Sequence, residues 1–210
     1  MRGTRQHQAG HDEDMPQPTG SSEAKARLRQ QALARRDALR VEARAAAAEA
    51  IAARPFPVAV TPSTVVSGFF PIRSEINPLP LMRRLAAAGA SLALPVVAGR
   101  GKPLILRAYR FGDPLISAQW GIREPTREAL ELIPDVMLVP LAAFDRTGHR
   151  IGYGAGYYDM TIARVRALKP VTAIGIAFAA QEIERVPATP RDARLDLVLT
   201  ERDVIDCRMF

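Results

Sequence analysis

The stretch "PDVMLVPLAAFDRTGHRIGYGAGYYDMTIARVRAL", residues 134–168, decides the fold of this chain. Its apolar start predicts a short buried strand at 134–140, and its end predicts an amphipathic helix at 157–168. Between the two, Gly152, Gly154 and Gly156 alternate with other residues directly before the helix. A strand, a glycine loop and a helix N-terminus in this order indicate one unit of an α/β sheet.

The rest of the chain continues this alternation of strand-like and helix-like segments. Strands are predicted at 63–70, 91–97, 103–111, 171–178 and 195–200, and helices at 22–53 and 78–89. The pattern predicts a single α/β domain at 21–210 with a mostly parallel open sheet flanked by helices. Residues 1–20 lack periodicity and are rich in polar residues, which predicts a disordered N-terminal tail.

The net charge of the chain indicates which kinds of molecule it could bind. The formal net charge is +7, and a basic surface fits nucleic acid or anionic small molecules equally well. The sequence shows no recognition helix, no aromatic RNA-binding pattern and no zinc-ligand spacing. We therefore expect small-molecule partners rather than nucleic acid.

The location of the protein is constrained by its apolar segments. The longest apolar runs, 137–144 and 173–180, are too short to span a membrane. The N-terminus has no apolar signal core and carries Asp12, Glu13 and Asp14, and the single Cys207 rules out an internal disulfide. We expect a cytoplasmic monomer.

The glycine loop has two interpretations when only its residues are considered. It is either a tight structural turn or a loop whose backbone N–H groups approach a phosphate closely. Its spacing matches neither the Walker A motif nor the dinucleotide-binding motif. Arg150 adds a bidentate phosphate donor. Asp159, in the first helical turn, either stabilises the helix dipole or holds Mg²⁺ beside phosphates.

The segment "RIGYGAGYYD" (150–159) resembles the 5-formyltetrahydrofolate cyclo-ligase family, also called methenyltetrahydrofolate synthetases. The family motif is an arginine, an aliphatic residue and then G-x-G-x-G-Y-Y-D. Further segments are similar to the family in the same order: "KARLR" (25–29), "FPIRSEI" (70–76), "WGIREP" (120–125) and "VPATPRDARLDLVLTE" (186–201). The resemblance implies conversion of 5-formyltetrahydrofolate to 5,10-methenyltetrahydrofolate with ATP and Mg²⁺, releasing ADP and phosphate.

The resemblance also implies which residues form the site. ATP would contact Lys25, Arg29, Arg150, Ile151, Gly152, Tyr153, Gly154, Ala155, Gly156, Tyr157 and Tyr158. The folate would contact Phe70, Glu75, Trp120 and loop residues 153–157, and Asp159 and Asp192 would hold Mg²⁺. Arg150 would stabilise the transferred phosphate without any covalent nucleophile.

Several of these residues have an ordinary structural alternative. Lys25 and Arg29 share one helix face, which by default is a solvated basic face, although both can reach one triphosphate. Glu75 is either an acceptor for pterin N–H groups or a solvated loop acid. Phe70 either forms an apolar wall or belongs to the core, and Trp120 either stacks on the folate or packs structurally.

Two departures from the family pattern leave a second function open. Met160 stands where the family commonly has arginine, and Arg191 stands where it often has histidine or asparagine. A folate- or nucleotide-binding protein of the same fold without catalysis is the alternative.

Overall fold

The computed structural model describes residues 20–118 and 122–209. The helices are α1 (Gly20–Asp37), α2 (Val41–Ala53), α3 (Leu79–Ala87) and α4 (Tyr157–Leu168). The strands are β1 (Val65–Ser67), β2 (Ser91–Val96), β3 (Ile105–Tyr109), β4 (Leu115–Ser117), β5 (Arg123–Pro125), β6 (Val136–Pro140), β7 (Ala143–Phe144), β8 (Arg150–Ile151), β9 (Thr172–Ile176), β10 (Leu197–Leu199) and β11 (Val204–Asp206). Trp120 and the predicted tail, apart from Gly20 at the start of α1, lie outside the described residues.

Seven strands form one sheet in the order β11-β10-β9-β6-β1-β2-β3. The five inner strands are parallel to one another, whereas β3 and β11 pair antiparallel at the two edges. The predicted α/β class with a mostly parallel open sheet is therefore confirmed.

Both faces of the sheet are covered because its central strands are apolar throughout. In β6, Val136 and Leu138 join a core cluster with α2 and α3, whereas Met137 and Val139 join a second cluster with α4. Successive side chains of a strand point to opposite faces, so one continuous apolar run fills two cores. Within the described residues, no helix has the length and apolar content that crossing a membrane requires.

The prediction of one long helix at 22–53 is wrong. The chain leaves helical geometry between α1 and α2, where Arg40 has φ −61° and ψ 151°. No glycine or proline marks this break. It follows from packing, because Ala32 of α1 contacts Ala143 and Ile151 beside the site, whereas α2 packs on α3 and the main sheet. Tertiary contacts here override a uniformly helical local preference.

Two small antiparallel pairs, β4–β5 and β7–β8, are absent from the sequence-based prediction, as is β11. The strands of these two pairs are only two or three residues long, which is too short to show a period. The β7–β8 hairpin matters most because it leads into the glycine loop. Asp145 organises its turn by accepting hydrogen bonds from the backbone N–H groups of Thr147 (3.0 Å), His149 (3.2 Å) and Val186 (2.8 Å).

Gly148, in the turn of this hairpin, is packed too tightly to carry a side chain. Its φ is +89°, and a Cβ would lie 2.5 Å from the Leu195 carbonyl oxygen and 2.9 Å from Cys207 Cβ. The backbone N–H of Leu195 donates to the Gly148 carbonyl over 2.9 Å. The hairpin is therefore fixed against the C-terminal part of the chain at this glycine.

We predict that Gly148→Ala destabilises the protein by more than Gly112→Ala does. Both glycines have a positive φ, +89° and +104°, so both variants carry backbone strain of about 1–3 kcal/mol. A Cβ at Gly112 meets nothing within 4 Å, whereas one at Gly148 displaces packed neighbours, adding about 1–3 kcal/mol. Urea unfolding of the two variants measures the difference, and equal losses would contradict the packing argument.

Candidate active site

The carboxyl ends of β1 and β6 open into a cavity of about 870 Å³. Phe69 and Phe70, which follow β1, and Pro140, which ends β6, form part of its wall. β1 and β6 are parallel neighbours, and the chain leaves them in opposite directions, towards β2 and towards β9. Open α/β sheets form their ligand sites at such a switch point.

Every predicted site residue that the structure describes lines this cavity. These residues are Lys25, Arg29, Phe70, Glu75, Arg150, Ile151, Gly152, Tyr153, Gly154, Ala155, Gly156, Tyr157, Tyr158, Asp159 and Asp192. The structure thus gathers groups from the first helix, the β1–α3 loop, the glycine loop and the segment before β10. Trp120 is not among the described residues.

Helix α1 brings two cations to the glycine loop. Arg29 Nε donates to the Gly152 carbonyl oxygen over 2.7 Å, and its Nη2 lies 4.0 Å from the position of a Cβ on Gly154. Lys25 Nζ lies 2.6 Å from Asp192 Oδ2. The two residues therefore do not form a free basic face, because each is held at the cavity by a partner from another part of the chain.

Arg150 is a buried cation, 5 % exposed, beneath the glycine loop. Its Nη2 donates to Asp159 Oδ1 over 2.8 Å, and its Nη1 donates to the Ala193 carbonyl. The same Asp159 oxygen accepts the Ala193 N–H over 3.0 Å. Burial lowers the pKa of the Arg150 guanidinium, and attraction to Asp159 partly offsets this. Asp159 is thus the counter-ion of a buried charge rather than only a helix-dipole residue.

The start of α4 exposes backbone donors to the cavity. The preceding Gly156 adopts a left-handed conformation with φ +68°, and no side chain caps the helix. The first N–H groups of a helix lack partners within the helix and carry partial positive charge. Gly154 has φ +102°, and a Cβ at Gly152 or Gly156 would meet no atom within 4 Å.

Glu75 belongs to a polar cluster with residues from α1 and the glycine loop. Arg36, which is 4 % exposed, donates to the Tyr153 hydroxyl over 2.7 Å and to Ser74 Oγ over 3.0 Å. The Glu75 carboxylate accepts the Ile72 N–H over 2.8 Å. Burial raises the pKa of Glu75, while hydrogen bonds from Tyr153 and Ile72 and the charge of Arg36 act against that rise.

Comparison with known proteins shows which family this chain belongs to. A model of the 5-formyltetrahydrofolate cyclo-ligase family matches residues 21–201, which contain all the residues that line the cavity. The chain belongs to this family. The resemblance carried by the glycine loop and its flanking segments is confirmed.

Individual members of the family agree with this assignment. A 5-formyltetrahydrofolate cyclo-ligase of Mycolicibacterium smegmatis is 37% identical over 145 residues, covering 65% of this chain and 73% of that protein. The Escherichia coli cyclo-ligase is 32% identical, covering 66% and 79%. The solved structure of Aquifex aeolicus 5,10-methenyltetrahydrofolate synthetase has a TM-score of 0.71 at 28% identity, over 88% of this chain and 93% of that one.

The carboxylates of Asp159 and Asp192 are ligands of the type that Mg²⁺ prefers. Mg²⁺ commonly takes one or two protein carboxylates together with water and phosphate oxygens. The hydrogen bonds found in the described residues engage Asp159 Oδ1 and Asp192 Oδ2, which leaves the second oxygen of each carboxylate available. Burial alone would raise the pKa of Asp192, but hydrogen bonds from Lys25 and Thr189 lower it overall. The described residues hold no cluster of three or more metal-binding side chains.

Two residues of the cavity region are missing from the sequence-based prediction. Arg36 is one of many arginines in a helix, and only its burial distinguishes it. Glu124 lies within the segment "WGIREP", of which the sequence-based prediction includes only Trp120. Glu124 is 5 % exposed and lines the cavity. In the sequence Glu124 lies between Arg123 and Pro125 of a three-residue strand, so no apolar periodicity marks it.

We predict that Glu75 makes stability depend on pH in a defined direction. A folded-state pKa raised above the ordinary 4.5 means that the folded state keeps a proton that the unfolded chain has lost. The wild-type protein should therefore lose stability relative to Glu75→Gln as pH rises from about 4.5 through the raised value. Urea unfolding of both proteins between about pH 4 and pH 8 measures this. A wild-type stability that stays constant or increases relative to Glu75→Gln with rising pH would refute it.

Proposed function

We propose that this protein converts 5-formyltetrahydrofolate to 5,10-methenyltetrahydrofolate in an ATP-driven reaction that releases ADP and phosphate. The observation that carries the proposal is one cavity in which a glycine loop and two cations face the carboxylate of Glu75 and the ring of Phe70. The family of the chain and the names of its relatives support the same reaction.

The phosphates of ATP would lie on the glycine loop at the start of α4. Backbone N–H groups of a loop without side chains and a helix N-terminus bind anions well. Arg29 and Lys25 of α1 add positive charge at the same cavity. Arg150 already gives two of its nitrogens to Asp159 and Ala193, so it contributes a fixed charge and positions Asp159.

The pterin would lie against Glu75 and Phe70. A carboxylate can accept the amino and ring N–H groups of a pterin, and a charge-assisted hydrogen bond of this kind contributes about 1.5–3 kcal/mol. Phe70 is half-buried and packs edge-to-face on Tyr109 with ring centroids 5.9 Å apart, which keeps its ring in place. Burial of Glu75 strengthens its preference for a ligand donor.

The reaction itself needs positioning and charge neutralisation more than a protein nucleophile. An amide oxygen is a poor leaving group, so ATP first phosphorylates the oxygen of the N5-formyl group. N10 then attacks the activated carbon, and phosphate departs. Lys25, Arg29 and the loop N–H groups would stabilise the charge on the transferred phosphoryl group. Mg²⁺, held by Asp159 and Asp192, would neutralise the phosphate oxygens of ATP.

Formation of methenyltetrahydrofolate, followed by its absorbance, tests the proposal directly. Wild-type protein with 5-formyltetrahydrofolate, ATP and Mg²⁺ should form the product, and omission of ATP or addition of a chelator should abolish it. Binding of both ligands by calorimetry without product would favour the alternative of a non-catalytic binding protein, for which Met160 and Arg191 are the sequence argument. We further expect a cytoplasmic monomer that does not bind nucleic acid.

We predict that Gly154→Ala weakens ATP binding by roughly tenfold or more while folate binding largely survives. A Cβ here would project towards Arg29, into the space that a phosphate would occupy. Gly112→Ala is the matched control. The φ of Gly112 (+104°) is nearly the same as that of Gly154 (+102°), so the backbone strain is similar, but Gly112 does not line the cavity. Calorimetry with ATP and Mg²⁺ measures the affinity. If both variants lose similar stability and neither loses ATP affinity, the glycine loop is only a turn.

A further inference from the structure

Glu124 is a buried carboxylate for which the described part of the protein provides one partner. Glu124 lies in the middle of β5 and is 5 % exposed. Oε1 accepts the backbone N–H of Val97 over 3.1 Å. Among the described residues no basic group forms an ion pair with it, and Oε2 accepts no hydrogen bond.

This arrangement is costly unless a ligand completes it. Burying a carboxylate without a counter-ion is unfavourable, and buried polar groups are almost always hydrogen-bonded. Oε2 is nevertheless not sealed off, because it is absent from the fully buried, unpartnered polar atoms of the described residues and Glu124 lines the cavity. The free oxygen is therefore available to a donor group of a bound molecule.

Glu124 also lies where two cavities meet. The second cavity, of about 960 Å³, lies between the β2–β3 loop at 97–101 and the glycine loop. Both cavities share the wall formed by Val97, Glu124, Gly154, Ala155 and Tyr157. Glu75, Lys25 and Arg29 line only the first, so the pterin and the phosphates of the proposed reaction belong there.

The shape of the proposed substrate then decides which atom reaches Glu124. The pterin of a reduced folate is joined to its aminobenzoyl half through N10. With the pterin beside Glu75 and the aminobenzoyl half in the second cavity, N10 lies at the junction of the two cavities. We propose that Glu124 Oε2 accepts the proton that N10 releases during ring closure. This inference rests on the proposed function.

The step balances without any further reactant. The lone pair of N10 forms a bond to the phosphorylated formyl carbon, and the bond between that carbon and the phosphate oxygen breaks, with its electrons leaving on phosphate. N10 becomes cationic on attack, and its N–H proton moves to Glu124 Oε2. The proton then passes to the departing phosphate or to solvent, which regenerates the carboxylate.

Glu124→Gln separates this role from a structural one. The glutamine keeps an oxygen that can accept the Val97 N–H, so folding should be retained, but it cannot accept a proton. We expect kcat to fall by at least about a hundredfold, as for loss of a general base. The folate KM and the unfolding midpoint should stay within about twofold and a few degrees, respectively. Glu128→Gln, at an exposed position of the following loop, should leave all three unchanged.

Positional isotope exchange in ATP shows which step of the reaction the Glu124→Gln substitution slows. Oxygen-18 placed in the bridge between the β- and γ-phosphates scrambles when phosphoryl transfer to the formyl oxygen reverses, a step that does not need N10 deprotonation. Glu124→Gln should therefore show exchange that persists, with a higher ratio of exchange to product than wild type. A parallel loss of exchange and product, or a rise in KM with kcat unchanged, would overturn the proposal. Failure of wild type to form any methenyltetrahydrofolate would instead refute the proposed function.

Discussion

The ion pair between Arg150 and Asp159 is the contact on which the geometry of the site depends. Arg150 is the first residue of β8, Asp159 lies in the first turn of α4, and both also bind the backbone of Ala193. The two sides of the glycine loop are thereby joined to each other and to the distant segment before β10. Because Arg150 is 5 % exposed, removing its partner would leave a buried charge, a loss of about 3–5 kcal/mol in comparable cases. The loop can thus be free of side chains and still have a defined shape.

The fold and most of the cavity could be predicted from local pattern and motif. The run "VMLV" in β6 identifies a strand buried on both faces, and the glycine loop before α4 identifies the ligand-binding end of the sheet. The end of α1 could not be predicted, because no breaker residue marks it and packing against the hairpin imposes it. Arg36 and Glu124 were missed for a related reason: their importance lies in burial and in neighbours distant in sequence, which one chain does not encode locally.

The carboxylates of the cavity fall into two groups with opposite electrostatic surroundings. Asp159 and Asp192 each have a cationic partner, at 2.8 Å and 2.6 Å, respectively. Glu124 is buried and Glu75 is half-buried, and within the described residues neither forms an ion pair of this kind. Charges of the first kind stabilise the fold, whereas charges of the second kind reduce stability until a ligand supplies donors. The division matches the proposed phosphate side and the proposed folate side of the cavity.

The way in which α1 is attached has a consequence for local dynamics. Its apolar contact with the rest of the protein is a small cluster around Ala32, and much of its remaining attachment is polar, through Lys25, Arg29 and Arg36. Segments with few buried apolar contacts open at lower free energy than the core and exchange their amide hydrogens sooner. A nucleotide bound by Lys25 and Arg29 would raise the opening free energy of this helix and leave the central strands unaffected. Occupancy of the cavity would thus be recorded as slower amide exchange along the first helix.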